Sequence, residues 1–259
     1  MTLIRLLSDI HTEFGPFDVP EMENDSETVL VLAGDIGVGE EHAPWIVDDL
    51  LPRFKAIVYV LGNHEFYYGS IDDVRRDWRE ISEGNDNLYF LDNNVAVIDG
   101  IRFIGGTLWT SFNNGDWFAE EAAKRMMNDL EVIRVNDAHR FTTYYWKAEH
   151  FTTQHFIEET LKEPFDGPTV VVTHHLPSFS SCHPRFDARM NNAYATDLEW
   201  MFHEYKIDIW MHGHTHDSYD YPVTVPFTDV EYGRIVCNPR GYHGVETNPE
   251  FDPCKIIEL

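Results

Sequence analysis

Continuous apolar runs, rather than alternating ones, set the rhythm of this chain. Residues 29–35 read Val-Leu-Val-Leu-Ala-Gly-Asp: four β-formers, a small residue, a glycine and a single acid. Such a run fits a strand buried on both faces that delivers one carboxylate, Asp35, to the carboxyl edge of a sheet. Residues 3–8, 57–61, 169–173 and 207–211 repeat the form. They lead into Asp9-Ile10-His11, Gly62-Asn63-His64-Glu65, His174-His175 and His212-Gly213-His214-Thr215-His216. A crossover helix is expected at 43–54, where Pro44 suits a first turn and Trp45, Val47, Leu50 and Leu51 can share one face. A second is expected at 71–82. Strand, ligand-rich turn, helix and strand in this order predict parallel βαβ units with a site at the strand carboxyl ends.

Short strands are predicted at 88–91, 95–98 and 101–104, with Asn93-Asn94 and Asp99-Gly100 as the turn signals between them. Residues 107–163 change character: 116–133 and 143–161 are helix-like and aromatic-rich, without strand signals. They read as a helical insertion or cap on the same domain. Residues 178–192 read as an irregular loop. A helix over 196–205 would start on a capping box of Thr196 and Glu199. Strands at 223–225, 232–237 and 255–258 finish the chain. With no internal repeat, low-complexity tract or linker, residues 1–259 are expected to form one domain.

Composition narrows the function. Hydrophobic residues make up 43% of 259 positions, enough for a sizeable core, so wholesale disorder is excluded. The formal net charge is −26 and the pI is about 4.7. A surface that negative repels phosphate backbones, which counts against non-specific nucleic-acid binding. A small phosphorylated substrate stays open, because bound divalent ions make a local positive centre inside an acidic shell. Cys182, Cys237 and Cys254 are odd in number and far apart, so neither a disulfide framework nor a Cys-x-x-Cys zinc site is expected. The first apolar run is broken by Arg5 and Asp9, and no later run is long enough for a membrane span. A cytosolic protein is expected.

Asp-x-His at 9–11 puts two side chains on one side of an extended backbone, where residues two apart point alike. One hard oxygen and one imidazole nitrogen suit Mn, Fe or Zn rather than a calcium cage. Gly-His-x-His at 213–216 repeats the geometry with two imidazoles.

Asp9-x-His11, Gly34-Asp35, Gly62-Asn63-His64-Glu65, His174 and Gly213-His214-x-His216 together resemble, in order, the motifs of the calcineurin-like metallophosphoesterases. The endings Thr-His-His-Leu-Pro at 173–177 and Cys-Asn-Pro-Arg-Gly-Tyr at 237–242 look like those of small bacterial or phage members. The resemblance implies a four-layer α/β/β/α sandwich with a dinuclear metal site at strand carboxyl ends. It implies that Asp9, His11, Asp35 and His216 hold one ion, and that Asp35, Asn63, His174 and His214 hold the other. The implied reaction is hydrolysis of a small phosphomonoester or phosphodiester by a metal-bridging hydroxide, with His64 donating a proton or holding a phosphate oxygen. A nuclease of the same family and a catalytically silent metal-binding scaffold are the rival readings.

There is one departure. In the protein-phosphatase branch an acid three residues after the bridging aspartate orients the catalytic histidine, and here that position is Val38. The protein Ser/Thr phosphatase reading is weakened accordingly, and the group orienting His64 is left unassigned. Basic residues are scarce, so Arg240 is a candidate phosphate ligand, while Arg185 and Arg189 read as surface ion pairs. Phe66, Tyr67 and Tyr68 read as aromatic core beneath the active-site turn, with a nucleobase-stacking wall as the alternative. Trp109 and Phe112 share that ambiguity. His175 and His212 point away from the ligand side; His175 is read as structural or as supporting a ligand, and His212 as a core or surface histidine. His42, His139, His150, His155, His183, His203 and His243 carry no motif and read as solvated or locally bonded.

Overall fold

The computed structural model describes residues 1–185, 187–224 and 230–259, with the Arg189 side chain outside that description. Two sheets face each other. The first runs Ile256–Glu258, Leu3–Leu7, Thr28–Ala33, Ala56–Val60, Leu88–Phe90, and is parallel apart from its Ile256–Glu258 edge. The second runs Tyr219–Thr224, Glu231–Cys237, Ile209–His212, Thr169–Thr173, Ile101–Gly106, Asn94–Ile98. Its centre is parallel and both edges are antiparallel hairpin partners.

The period of two along each strand builds the layers. Ile4, Leu6, Val29, Val31, Val58 and Val60 turn toward the second sheet and meet Phe103, Val170, Val172, Met211 and Val236. The positions between them, Leu30, Leu32, Ile57 and Tyr59, turn outward onto Ile46, Leu50, Val74 and Trp78. On the far side Ile104, Val171, Trp210 and Ile235 pack on Ile157, Leu161, Met201 and Phe202. The result is the expected four-layer α/β/β/α sandwich. Both faces of each central strand are covered, which is why those segments are apolar without a break.

Several elements differ from expectation. Within 43–54 the regular part is a single π-helical segment, Trp45–Leu50, closed by the Leu51 N–H bonding the Ile46 carbonyl at 2.9 Å. Ile46 and Leu50 are its buried positions. Helix Ile71–Glu83 forms as expected, and the Ser70 hydroxyl caps it by accepting from the Asp73 N–H. Residues 107–163 divide in two. Helix Thr143–Lys162 joins the parallel strands Ile101–Gly106 and Thr169–Thr173, so it is a crossover helix and part of an outer layer. The additional part is short: helices Trp117–Met126 and Asp129–Val132, followed by a hairpin of Arg134–Asn136 and His139–Arg140. That hairpin was not predicted, since its strands are too short and polar to leave a pattern.

The capping box fails. The helix after residue 196 covers only Trp200–Glu204. The Thr196 hydroxyl instead accepts from the Ser111 N–H, and the Glu199 carboxylate accepts from Ser178. The expected loop at 178–192 contains a helix, Ala188–Tyr194. Val225, expected as strand, lies outside the described residues. Among the described residues no helix is long and apolar enough to cross a membrane.

Candidate metal centre

Each motif begins where a parallel strand stops. Asp9 and His11 follow Leu3–Leu7, Asp35 follows Thr28–Ala33, and Asn63 and His64 follow Ala56–Val60. His174 follows Thr169–Thr173, and His214 and His216 follow Ile209–His212. Backbone bonds stitch these turns together. The Asp9 N–H donates to the Gly34 carbonyl at 3.0 Å, the His11 N–H to the Asp35 carbonyl at 3.0 Å, and the Gly213 N–H to the His174 carbonyl at 3.0 Å. Asp35 Oδ1 accepts from the His64 N–H at 2.8 Å, and the Asp9 carboxylate accepts from the His214 N–H at 2.9 and 3.0 Å.

The turns are not extended, as the Asp-x-His reading assumed. Asp9, His11, Asp35, His214 and His216 have φ of 52°, 50°, 53°, 69° and 55°, a left-handed region that costs a non-glycine residue on the order of 1–2 kcal/mol. Five strained residues are thus held at one sheet edge by their surroundings. The strain also separates His214 from His216, which join different donor groups rather than pointing alike.

Two glycines are dictated by contact. A Cβ on Gly34, at φ 83°, would lie 2.5 Å from His174 Nδ1, and one on Gly62 would lie 2.1 Å from Asp35 Oδ1. Beneath both turns sits Glu65, fully buried. Its carboxylate accepts from the Gly62, Asp35 and Ile36 N–H groups at 2.7, 3.0 and 2.7 Å and from the Tyr59 hydroxyl at 2.9 Å. The glutamate of Gly-Asn-His-Glu is therefore a brace for the Asp35 turn.

All seven donors named from the sequence converge. Asp9, His11 and His216 form one group, and Asp35, His174 and His214 another. Asn63 Oδ1 joins the second, 3.1 Å from His174 Nε2. Asp35 Oδ2 lies between the groups, 3.3 Å from His174 Nε2 and 3.8 Å from His11 Nε2. The donor set fits divalent cations. His11 Nε2 faces His216 Nε2 at 3.2 Å, and His174 Nε2 faces His214 Nδ1 at 3.2 Å. An ion with bonds of about 2.0–2.1 Å to nitrogen sets tetrahedral donor–donor edges of about 3.3 Å. The far nitrogens are committed elsewhere: His174 Nδ1–H donates to the Ala33 carbonyl at 2.9 Å and His11 Nδ1–H to Glu13 at 3.0 Å. Each ring thereby keeps an Nε2 lone pair toward the cluster.

The field of the cluster is strongly negative. Burial opposes charge on His174 and His216, but Asp35 raises His174 to about 9 and Asp9 raises His216 to about 10. His175 behaves as expected of a structural residue. It is buried, packs against Trp109 with ring centroids 4.9 Å apart, and is held well below the usual histidine range by burial and by His174. His212 is also core, its Nε2 2.9 Å from the Ser181 hydroxyl.

Sequence reasoning missed Glu13. Its Oε1 lies 2.9 Å from His64 Nδ1 and 3.0 Å from His11 Nδ1, so one carboxylate takes both rings. Burial works against the Glu13 charge, yet the two imidazole partners hold it down at about 2. It supplies from the first turn what Val38 does not supply from the second. The spacing Asp-x-His-x-Glu at 9–13 was the available signal. Around His64, Tyr67 stacks on the ring at 4.1 Å and the Tyr242 hydroxyl lies 3.2 Å from Nε2. Phe66 is core, Tyr67 is half-buried and Tyr68 is exposed, so the three adjacent aromatics divide between the two readings. Trp109 and Phe112 are core.

Arg240 is not on the cluster. Its guanidinium donates to the Ile10 and Pro16 carbonyls at 3.1 and 3.3 Å and lies over Phe17. Arg185 pairs with Asp217 and Glu246 at 3.0 and 2.9 Å, as expected of a surface ion pair. The Arg189 side chain lies outside the described residues.

Comparison with known proteins agrees with this geometry. An uncharacterized protein of Acanthamoeba polyphaga mimivirus is 28% identical over 291 residues, covering 100% of this chain and 97% of its own length. Two solved structures share the fold. One is a phosphopantetheinyl hydrolase from Mycobacterium tuberculosis, at TM-score 0.70, 17% identity and coverage of 93% and 90% of the two chains. The other is a dimetal phosphatase from Danio rerio, at TM-score 0.51, 14% identity and coverage of 96% and 89%. A family model described as calcineurin-like phosphoesterase matches residues 2–218, from the first strand past the last histidine motif, and the chain belongs to that family.

Proposed function

We propose that the chain is a hydrolase of small phosphoric esters working with two divalent cations, Mn, Fe or Zn. Asp9, His11, Asp35 and His216 would hold one, and Asp35, Asn63, His174 and His214 the other. The observation that carries this reading is the pair of imidazole contacts at 3.2 Å on either side of the Asp35 carboxylate. Bound there, two such ions supply Lewis acidity toward phosphoryl oxygens and a water acidified toward neutrality.

The chain's own residues supply the rest. Asp35 fixes the separation of the two donor groups, and Glu65 fixes Asp35. Glu13 accepts from His64 Nδ1–H, leaving Nε2 toward the open side of the cluster. Burial lowers the His64 pKa, but Asp35 and Glu13 outweigh it and raise it. With Nδ1–H committed to Glu13, a proton carried at Nε2 is placed to pass to the departing ester oxygen. Tyr67, stacked on the ring, and the Tyr242 hydroxyl restrain its rotation. The free thiols of Cys182, Cys237 and Cys254 support a reducing, cytosolic setting.

The test is elemental analysis with a substrate panel of 4-nitrophenyl phosphate, bis(4-nitrophenyl) phosphate and single-stranded DNA, each run with Mn, Fe, Zn and Mg. Two metal equivalents in the wild type, loss of at least one in Asp35→Asn, and metal-dependent turnover of a small ester are expected. Near-normal hydrolysis by Asp35→Asn would refute the bridging role, and preferred cleavage of DNA would make the protein a nuclease.

A further inference from the structure

A cavity of about 210 Å³ opens from the donor cluster. Past the ligand side chains Tyr67, Met126, Met127, Leu176, Tyr194 and Tyr242 line its wall, with the uncharged Asn128, Cys182 and Thr215 between them. Three phenol rings and three aliphatic side chains make that wall a surface for an apolar or aromatic group. Beyond the seven donors and His64 the charged lining residues are Asp129 and Glu246, both acids, and among the described residues the lining holds no lysine or arginine. Arg240 is turned onto backbone carbonyls, and Arg185 is paired with Asp217 and Glu246.

A site meant for a phosphate chain or a carboxylated arm normally carries cations along the path of that arm. Here an arm leaving the cluster meets tyrosines, methionines, small uncharged side chains and two carboxylates, of which Glu246 is paired with Arg185 and Asp129 is not. We propose that this cavity is a subsite for one uncharged, aromatic or apolar ester arm, so that the substrates are esters bearing a single phosphoryl group, and arms with further phosphates or carboxylates are rejected. The proposal rests on the phosphoesterase reading above and narrows it: nucleoside polyphosphates and polynucleotides fall outside the class. Met126 and Met127 stand at the end of helix Trp117–Met126, in the part of 107–163 that is not needed for the four layers.

The discriminating pair is phenyl phosphate and 4-carboxyphenyl phosphate, alike in size and differing by one charge on the arm. The wild type is expected to prefer phenyl phosphate by about ten-fold or more in kcat/KM, from repulsion between like charges at short range. Met127→Lys places a cation on the half-buried rim and is expected to bring the two within about three-fold of each other. A second measurement needs no turnover. Calorimetric binding of phenylphosphonate and 4-carboxyphenylphosphonate is expected to show the same preference and the same collapse in Met127→Lys. If both phosphonates bind with that preference while no ester is hydrolysed, the phosphoesterase reading fails and the subsite stands. Equal affinity for the two phosphonates, binding of neither, or an unchanged ratio in Met127→Lys overturns the subsite.

Discussion

Glu13 Oε1 lies 2.9 Å from His64 Nδ1, joining two residues 51 positions apart. The same oxygen lies 3.0 Å from His11 Nδ1, so a proposed metal ligand and the proposed proton donor hang from one carboxylate. Glu13→Gln keeps an acceptor oxygen but removes the negative charge that both imidazole N–H groups share, and its NH₂ brings donors beside them. We expect kcat/KM to fall by about 10- to 100-fold, as for other groups that orient ligand histidines. Nitrogen NMR of the metal-free protein should show His11 and His64 with Nδ1 protonated in the wild type and with mixed tautomers in the variant. Unchanged tautomers would leave Glu13 without a positioning role.

Arg240→Ala should affect stability more than substrate binding. Removing the guanidinium leaves the Ile10 and Pro16 carbonyls short of a donor and uncovers Phe17. That is about 2–3 kcal/mol, or a melting temperature lower by roughly 5–10 °C. Because the turn braced by Arg240 carries His11 and Glu13, kcat should drop with it. KM for phenyl phosphate should move less than about two-fold, and a selective ten-fold rise would return the arginine to the substrate.

The sequence made the strands and the donors legible for one physical reason: doubly buried strands are apolar throughout, and donors stand where such runs break. Asp35 and His174 could be found that way without any contact information. What local pattern does not carry is the partner across space. Glu13 looks like a loop acid until the turn at Asp9 folds it back beside His64. Arg240 looks like a phosphate ligand until its role in tying residues 10–16 is seen. Glu65 belongs to the recognisable block, yet its part as a brace depends on N–H groups from a different turn. The Thr196 box shows the converse: a good local start signal lost to a tertiary contact with Ser111. The left-handed turns at the donors were illegible as well, since aspartate and histidine do not announce positive φ as glycine does.

Burial of histidines away from the cluster predicts an acid-sensitive fold. His150 is fully buried, and its Nδ1–H donates toward the Leu108 and Trp109 carbonyls. Burial lowers its pKa to about 4. The unfolded chain therefore takes up this proton near pH 6.5, whereas the folded protein resists it until about pH 4. Stability present above pH 6.5 is lost as the pH falls through that window, by roughly 2 kcal/mol between pH 7 and pH 5. Urea melts of chelator-treated wild type and His150→Gln at both pH values isolate the effect. The variant's deficit should shrink by about that amount at pH 5, and a constant deficit would mean that His150 is protonated in the native state.

His64→Ala separates proton donation from simple phosphate contact. The ring is held by Glu13 at Nδ1, by the stack on Tyr67 and by the Tyr242 hydroxyl at Nε2, and none of these partners is one of the seven donors. Metal content should stay at the wild-type value. If Nε2–H protonates the departing oxygen, the deficit must grow with the basicity of that oxygen. Phenyl phosphate should slow by about 10²- to 10³-fold, and 4-nitrophenyl phosphate, whose leaving group needs little help, by less than about ten-fold. If His64 only holds a phosphoryl oxygen, both esters lose the same factor, because that contact does not depend on the leaving group. The slope of log kcat/KM against leaving-group pKa in wild type and variant therefore decides between the roles, and parallel slopes would remove His64 as the acid.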